Sequence, residues 1–179
     1  MSLPPGTVPR TAVVVGNPKP ASRTLTAARR VAHGLTGSEQ HLEVDLATWG
    51  TSLLDPEDAA VDDLVRRVGE AELVVVASPT YKATYTGLLK VFLDRFPAGG
   101  LRGVAVPVML GAGPAHALAP DTTLRPLLAE LGAVTPVRGL YVLDRDHDDP
   151  AAYDGWLASA RPVVASLLDH RPHLTGVPA

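Results

Sequence analysis

The chain has 179 residues, no Cys and a formal net charge of −3, from 16 Lys and Arg against 19 Asp and Glu. Its 46% hydrophobic and 20% charged residues favour one folded domain over a disordered chain. The slight acidity, without a dense Lys/Arg block, argues against nucleic acid as a partner, and the absence of Cys excludes thiol catalysis, disulfides and thiolate metal sites.

Neither end of the chain resembles a targeting or membrane segment. The first ten residues contain three prolines and no apolar run after a basic start, unlike a signal peptide. No stretch approaches the roughly 18 apolar residues of a membrane helix. We expect a cytoplasmic protein without a membrane partner, in which a single domain over residues 11–170 lies between a flexible N-terminal segment (1–10) and a flexible C-terminal tail (171–179).

Strands and helices alternate along the chain. Short β-branched or alternating runs predict the strands, and apolar residues at three- and four-residue spacing predict the helices. In chain order these are strand Thr11–Gly16, helix Thr24–Gly37, strand His41–Leu46, helix Glu57–Val68, strand Leu73–Ala77, helix Gly87–Phe96, strand Val104–Leu110, helix Thr122–Leu131, strand Val134–Leu143 and helix Ala151–Leu168. Pro107 in the fourth strand predicts an edge or a bulge, because proline lacks the ladder donor.

Five strands, each followed by a helix, predict an α/β fold. Parallel neighbours need helical crossovers, so we expect a parallel sheet with helices on both faces. Ligands of such sheets bind beyond the carboxyl ends of the strands. The loops after the first, third and fourth strands are therefore the candidate functional segments.

The loop after the first strand (GNPKPASRT, residues 16–24) has the composition of an anion site. It combines the hydroxyls of Ser22 and Thr24 and the cations Lys19 and Arg23 with the free amides of a helix start. It is neither a glycine-rich dinucleotide loop nor a Walker A loop, so a terminal monophosphate fits best. The alternative is an ordinary capped helix start with solvated charges.

The other two loops are rich in small residues. Residues 78–87 (SPTYKATYTG) allow close backbone approach to a planar ligand, with Tyr81 and Tyr85 either contacting that ligand or packing in the core. Residues 111–116 (GAGPAH) permit tight turns whose amides either donate to a ligand or merely reverse the chain.

Together, GNPKPASRT, SPTYKATYTGLLKVFLD and GAGPAHALAPDTTLRPLLAELGA resemble the NADPH-dependent FMN reductase family of the flavodoxin-like fold. The similarity is greatest to reductases that supply two-component flavin monooxygenases, such as those of alkanesulfonate use. It covers most of Thr11–Asp144. It implies a flavodoxin-like three-layer sandwich, with a five-stranded parallel sheet in the order 2-1-3-4-5 and FMN at its carboxyl edge.

The resemblance also implies the site residues. Its phosphate site corresponds to Asn17, Lys19, Ser22, Arg23 and Thr24. Its flavin-ring segment corresponds to Pro79, Thr80, Tyr81, Lys82 and Ala83, with Tyr85 and Gly87 behind them. The dimethylbenzene and pyrimidine side of the ring corresponds to Gly111, Ala112 and Gly113, with His116 as a further candidate.

The reaction that the resemblance implies needs few catalytic side chains. A hydride passes from the nicotinamide of NADPH or NADH to flavin N5, so the protein must stack two rings and stabilise developing charge. We expect no catalytic acid–base pair. Lys82 either offsets the charge of the reduced flavin or faces solvent. No metal is expected, since the acidic loop at residues 144–149 and the pair His170 and His173 are interpreted as solvated or loose.

Several alternatives remain open at this stage. Related reductases that release flavin often carry an aromatic residue where this chain has Thr122, and Pro120 interrupts the same segment, so FMN is either bound tightly or exchanged. The main prediction is an FMN reductase that supplies a partner monooxygenase. The alternatives are a quinone or azo-type reductase with tightly bound FMN, a flavodoxin-like electron carrier, and an interaction domain without flavin, such as a receiver module. A receiver needs an acidic pair after the first strand, where this chain has Asn17, Pro18 and Lys19. The family resemblance also implies a homodimer or homotetramer, with the third helix in contact.

Overall fold

Five parallel strands form the centre of the molecule, whose computed structural model describes residues 10–170. They are β1 (Thr11–Val15), β2 (Leu42–Asp45), β3 (Leu73–Pro79), β4 (Val104–Gly111) and β5 (Leu140–Leu143). Their order is β2-β1-β3-β4-β5, with every pair parallel. This confirms the predicted α/β, flavodoxin-like sheet. Of the segments predicted to be flexible, residues 1–9 and 171–179 lie outside the described residues.

Helices cover both faces of the sheet. They are α1 (Arg23–Thr36), α2 (Ala59–Gly69), α3 (Gly87–Leu93), α4 (Arg125–Glu130) and α5 (Ala151–Asp169). Alternate residues of β1 enter different cores: Ala12 and Val14 pack with α2, α3 and α4, whereas Val13 and Val15 pack with α1 and α5. Burial on both faces explains why the central strands are continuous apolar runs. No helix among residues 10–170 combines the length and apolarity required to cross a membrane.

Local signals place α1 close to its predicted position. Ser22 caps its start, accepting a hydrogen bond from the Leu25 amide at 3.3 Å. Gly37 ends it with φ 72°, and its amide donates to the His33 carbonyl at 2.7 Å. The Ser22 cap fixes where the first loop meets the helix, and the Gly37 cap ends the helix before β2.

The last strand is shorter than the sequence predicts. The prediction of a strand over Val134–Leu143 is wrong in its first part, because β5 begins only at Leu140. Val134 makes an isolated parallel bridge with Val104, and the chain then leaves the sheet until β5. Pro136 lies in this excursion, where its missing N–H interrupts no ladder.

Pro107 lies inside β4, between β3 and β5, so the expectation of an edge or a bulge is wrong. Alternate amides of a parallel strand point to the same neighbour. The Ala105 amide points away from β3 and donates to the Val134 carbonyl at 2.8 Å. The backbone nitrogen of Pro107 faces the same side as the Ala105 amide, where residues 135–139 have left the sheet. Proline is tolerated there because no ladder bond is lost.

The fourth helix begins with a π-helical segment, Pro120–Leu124, in which the Arg125 amide donates to the Pro120 carbonyl. The predicted helix Thr122–Leu131 is confirmed in type, with this wider turn added at its start. Asp121 ties the segment to the chain before β5, since its carboxylate accepts from the Gly139 amide at 2.8 Å and from Arg125 at 2.9 Å.

Candidate functional site

The carboxyl ends of β1, β3 and β4 bring the three candidate loops to one edge of the sheet. The Gly16 amide, just after β1, donates to the Ala77 carbonyl at 2.8 Å. The Thr80 amide, just after β3, donates to the Leu110 carbonyl at 2.6 Å. The first two loops therefore each begin with a hydrogen bond to the neighbouring strand, and the three loops lie at a single edge of the sheet.

The first loop is organised by Asn17. Its side-chain amide donates to the Thr24 hydroxyl at 2.9 Å, and its side-chain oxygen accepts from the Lys19 amide at 2.9 Å. These two bonds turn the chain between β1 and α1 and leave the Lys19 side chain exposed. Asn17 thus holds the loop in its conformation and leaves the Lys19 side chain on the solvent side of the loop.

The start of α1 has the features of an anion site. Its first turn contains no acidic side chain, and Arg23 is exposed beside its free amides. Among the contacts of the described residues, the Ser22 hydroxyl accepts from Leu25 and the Thr24 hydroxyl accepts from Asn17. A hydroxyl that accepts still has a proton to donate. Both of these buried groups can therefore donate to an anion at the helix start.

Asp45, at the end of β2, fastens the same loop from the side. Its carboxylate accepts from the Ala21 amide at 2.9 Å and from the Ala47 amide at 3.4 Å. Ala21 has φ 49°, a left-handed conformation that is costly for a residue with a Cβ. The sequence analysis missed Asp45, although an Asp at the carboxyl end of a strand was a visible signal.

The second loop forms a two-residue hairpin. Tyr81 and Thr84 pair as an antiparallel bridge, with the Tyr81 amide donating to the Thr84 carbonyl at 2.8 Å and the reverse bond at 3.2 Å. The central residues Lys82 and Ala83 have φ 50° and 69°, as a type I′ turn requires. Both are exposed, so the hairpin presents strained backbone at its tip.

Thr86 joins the second loop to the first, and the sequence analysis missed it. Its hydroxyl donates to the Gly16 carbonyl, 70 positions away, at 2.5 Å, and accepts from the Leu89 amide at 3.2 Å. Its own amide donates to the buried Ser78 hydroxyl at 3.0 Å. One side chain thus caps α3 and fixes the spacing of two candidate loops.

The third loop contacts β5 through Tyr141. The Tyr141 hydroxyl donates to the Gly113 carbonyl at 2.7 Å, while Ala112 and His116 are exposed on either side. A Cβ added at Gly111 would lie 1.9 Å from the Tyr141 hydroxyl oxygen, so only glycine leaves room for that side chain. Burial is the main cause that raises the Tyr141 pKa, which keeps the hydroxyl protonated as a donor.

A cavity of about 370 Å³ lies between the second and third loops. Ala83 lines one side of it, and the other side is formed by Pro114, Ala115, His116, Ala117, Leu118, Ala119 and Thr122. The structure therefore brings the hairpin tip and His116 to one opening. Tyr81 is 53% exposed, whereas Tyr85 packs against a core cluster, so the two predicted tyrosines have different surroundings.

No group of three or more His, Asp or Glu side chains is placed to hold a metal ion in the described part of the chain. The His170 and His173 pair cannot be compared with the structure, because residue 173 lies outside the described residues. The groups that the three loops offer at this edge are backbone amides, hydroxyls, the His116 imidazole and the exposed cations Lys19, Arg23 and Lys82.

This sheet order, with an anion-accepting helix start and loops of exposed backbone at the carboxyl edge, defines a flavodoxin-like α/β protein. Residues 9–148 match the profile of the family described as NADPH-dependent FMN reductase, and the chain belongs to that family. It is therefore an oxidoreductase of the FMN reductase class that uses FMN and a nicotinamide nucleotide, as the resemblance predicts.

Individual relatives agree with this assignment. FMN reductase (NADPH) of Escherichia coli K12 is 31% identical over 144 residues, which cover 75% of this chain and 73% of the relative. NADH-dependent FMN reductase SfnF of Pseudomonas putida is 33% identical over 161 residues, or 81% and 86% of the two chains. The crystal structure of the apo form of an NADH:FMN oxidoreductase (EMOB) superposes with a TM-score of 0.79 and 29% identity, covering 94% of this chain and all of that one.

The residues at the carboxyl edge fit FMN. The start of α1 offers donors and two nearby cations to a phosphate without a competing acid in its first turn. The hairpin tip and the Gly111–Gly113 loop offer backbone surface beside the cavity to a planar ring. The buried hydroxyl oxygen of Thr80, in the second loop, adds a further polar group.

Proposed function

We propose that this edge binds FMN reversibly and that the protein passes the reduced flavin to a partner. The start of α1, with no acidic side chain in its first turn and with Lys19 and Arg23 beside it, carries the proposal. Bound FMN supplies a ring that accepts a hydride from NADPH or NADH. The protein needs no acid–base pair for that transfer, and its part is to bind, orient and stabilise charge.

The phosphate is assigned to the first loop. The Ser22 and Thr24 hydroxyls and the first-turn amides donate to it, while Lys19 and Arg23 neutralise its charge. Asn17 holds this loop in shape, through its bonds to Thr24 and Lys19. A monophosphate at a helix N-terminus gains both from the unpaired amides and from the helix dipole.

The ring is assigned to the second and third loops. Pro79 and Thr80 bring the chain to the edge, and the hairpin of Tyr81 to Thr84 supports one side of the ring. Gly111, Ala112 and Gly113 face its other side. The cavity beside Ala83 and His116 takes the nicotinamide, so that both rings share one cleft. Lys82, exposed at the hairpin tip, supplies positive charge near the reduced ring.

Reversible binding follows from the few aromatic side chains at this edge. Tyr81 is 53% exposed and Tyr85 is engaged in core packing, so the ring has little aromatic surface to stack on. A flavin that leaves in reduced form needs an acceptor. The relatives SfnF and SfnE bear the name NADH-dependent FMN reductase, and a flavin-dependent monooxygenase is the partner we propose for this chain.

A second copy of the chain is the other proposed partner. Leu88 and Val91 of α3 are only partly buried, and Leu118, at the mouth of the cavity, is 60% exposed. A second copy that covered Leu118 would also shield the cavity from water. We propose a homodimer or homotetramer, and light scattering of the purified protein in solution distinguishes these from a monomer.

The decisive experiment measures NADPH and NADH oxidation with and without added free FMN. We expect saturable oxidation that depends on added FMN, and flavin that passes through a desalting column separately from the protein. A quinone or azo-type reductase with tightly bound FMN would retain its flavin on the column and would need an added electron acceptor. An electron carrier would oxidise almost no nucleotide. Absence of any flavin-dependent rate would overturn the proposal.

A further inference from the structure

Tyr141 connects β5 to the second and third loops, the ring-side loops to which we assign the flavin ring. Neither β5 nor the loop after it is among the candidate segments. The Tyr141 hydroxyl donates to the Gly113 carbonyl at 2.7 Å. To reach that carbonyl the side chain passes beside Gly111, where an added Cβ would lie 1.9 Å from its oxygen and 2.9 Å from its ring carbon Cζ. Gly111 and Tyr141 are thus complementary, one supplying the space that the other fills.

The second ring-side loop approaches the same hydroxyl. Burial raises the Tyr141 pKa and the Thr80 side chain lowers it by less, so the two hydroxyls lie near each other, although the Thr80 hydroxyl makes no hydrogen bond within the described residues. The Thr80 amide in turn donates to the Leu110 carbonyl at 2.6 Å, just before Gly111. Tyr141 therefore lies where the loops after β3 and β4 meet.

We infer that Tyr141 is a positioning residue, whose hydroxyl holds the Gly111–Gly113 loop in the conformation that accepts the flavin ring. This inference rests on the proposed function. Two glycines in three residues give the loop wide conformational freedom, and the bond to Gly113 restricts it. When only part of the free protein has the competent loop conformation, affinity falls in proportion to that fraction.

The same chain offers a matched control. The Tyr153 hydroxyl also donates to a backbone carbonyl, that of His147, at 2.6 Å, and its side chain is almost fully buried. Its partner lies between β5 and α5, outside the three candidate loops. Tyr153→Phe and Tyr141→Phe therefore each remove a tyrosine-to-carbonyl bond, but only the second bond restrains the proposed ring site.

The experiment compares the two variants in FMN affinity and in loop exchange. Binding is measured by flavin fluorescence at a temperature at which both variants are folded. We expect Tyr141→Phe to bind FMN roughly three- to tenfold more weakly, with a matching rise in KM for FMN. We expect Tyr153→Phe to bind FMN as the wild type does, even where its Tm falls.

Amide hydrogen exchange of the flavin-free protein tests the loop independently of the proposed function. We expect faster exchange at the amides of residues 111–113 and 115 in Tyr141→Phe and unchanged exchange there in Tyr153→Phe. Unchanged exchange in Tyr141→Phe overturns the inference, and so does an FMN affinity equal to that of the wild type. If the wild type itself bound no FMN while the exchange result held, the proposed function would fail and the loop restraint by Tyr141 would stand.

Discussion

The carboxylate of Asp45 holds the amide of Ala21 at 2.9 Å, and this bond joins the end of β2 to the residue just before the α1 cap. Ala21 has φ 49°, so the bond helps to maintain a backbone conformation that alanine does not favour. The same bond places a negative charge close to the proposed phosphate site. Asp45 thus supports the loop structurally and opposes its anion electrostatically.

Two substitutions of Asp45 separate these effects. Asp45→Ala removes the acceptor of Ala21, and we expect FMN to bind roughly three- to tenfold more weakly because the loop loosens. Asp45→Asn keeps one acceptor oxygen for the Ala21 amide, gives up the longer bond from Ala47 and removes the charge, so we expect affinity equal to or tighter than wild type at low salt. Fluorescence titration with FMN at two salt concentrations measures both. Equal affinities for Asp45→Asn and Asp45→Ala, which both lack the charge, would show that the bond does not shape the site.

We expect removal of the Arg23 charge to lower the affinity for FMN but not the affinity for riboflavin. Arg23→Ala should weaken FMN binding by roughly 3- to 30-fold, because an exposed charge-assisted contact to the phosphate is lost. Riboflavin has no phosphate, so its weaker affinity should stay unchanged. Arg67→Ala is the control, since Arg67 lines a cavity with Arg10 and Thr11 at the opposite edge of the sheet. Parallel losses for FMN and riboflavin would remove Arg23 from the phosphate site.

The sequence was sufficient for the fold because the relevant signals are local. Buried strands are continuous apolar runs, and helices show three- and four-residue spacing with recognisable caps such as Ser22 and Gly37. The errors arose where strand pairing overrides local pattern. Residues 135–139 leave the sheet after the Val134 bridge, although Thr135 and Val137 are β-branched. Pro107 faces this stretch, so its missing N–H costs no ladder hydrogen bond.

The candidate loops were predictable, but the contacts that shape them were not. Asp45 lies 24 positions from Ala21, Thr86 lies 70 positions from Gly16, and Tyr141 lies 28 positions from Gly113. Each bond exists only because parallel strands bring their carboxyl ends to one edge. Composition marks a loop as rich in small residues, but only the sheet order shows which distant side chain holds it.

At the hairpin tip, we expect a substitution by glycine to raise the free energy of unfolding, whereas such a substitution usually lowers it. Ala83 has φ 69°, so Ala83→Gly relieves a left-handed strain of about 1–2 kcal/mol and adds unfolded-state entropy that offsets about 0.5–1 kcal/mol of it. We expect the free energy of unfolding to rise by about 0–1.5 kcal/mol. Ala129→Gly in α4 is the control and should lower it by about 1 kcal/mol. Urea unfolding of the flavin-free protein checks both, and equal losses would show that the turn is unstrained.

The ion pair between Arg29 and Glu43 predicts how stability depends on pH. Hydrogen bonds from the guanidinium, at 2.6 and 2.7 Å, are the main cause that lowers the pKa of Glu43 below its usual 4.5. A carboxyl whose pKa is lower in the folded state stabilises the protein above its unfolded pKa and loses that contribution as pH falls through the folded value. The stabilisation is therefore present at pH 7 and lost in acid.

Glu43→Gln tests this sign. Both side chains are partly exposed, so solvent screening limits the pair to about 0.5–1 kcal/mol, and we expect the variant to be less stable by that amount at pH 7. The difference between wild type and variant should shrink toward zero at a pH well below 4.5, because the wild-type carboxyl is then also neutral. Urea unfolding across this pH range measures it, with Glu130→Gln on the exposed surface of α4 as the control for a Glu-to-Gln exchange away from this ion pair. A difference that stays constant with pH would mean that Glu43 contributes through packing rather than through its charge.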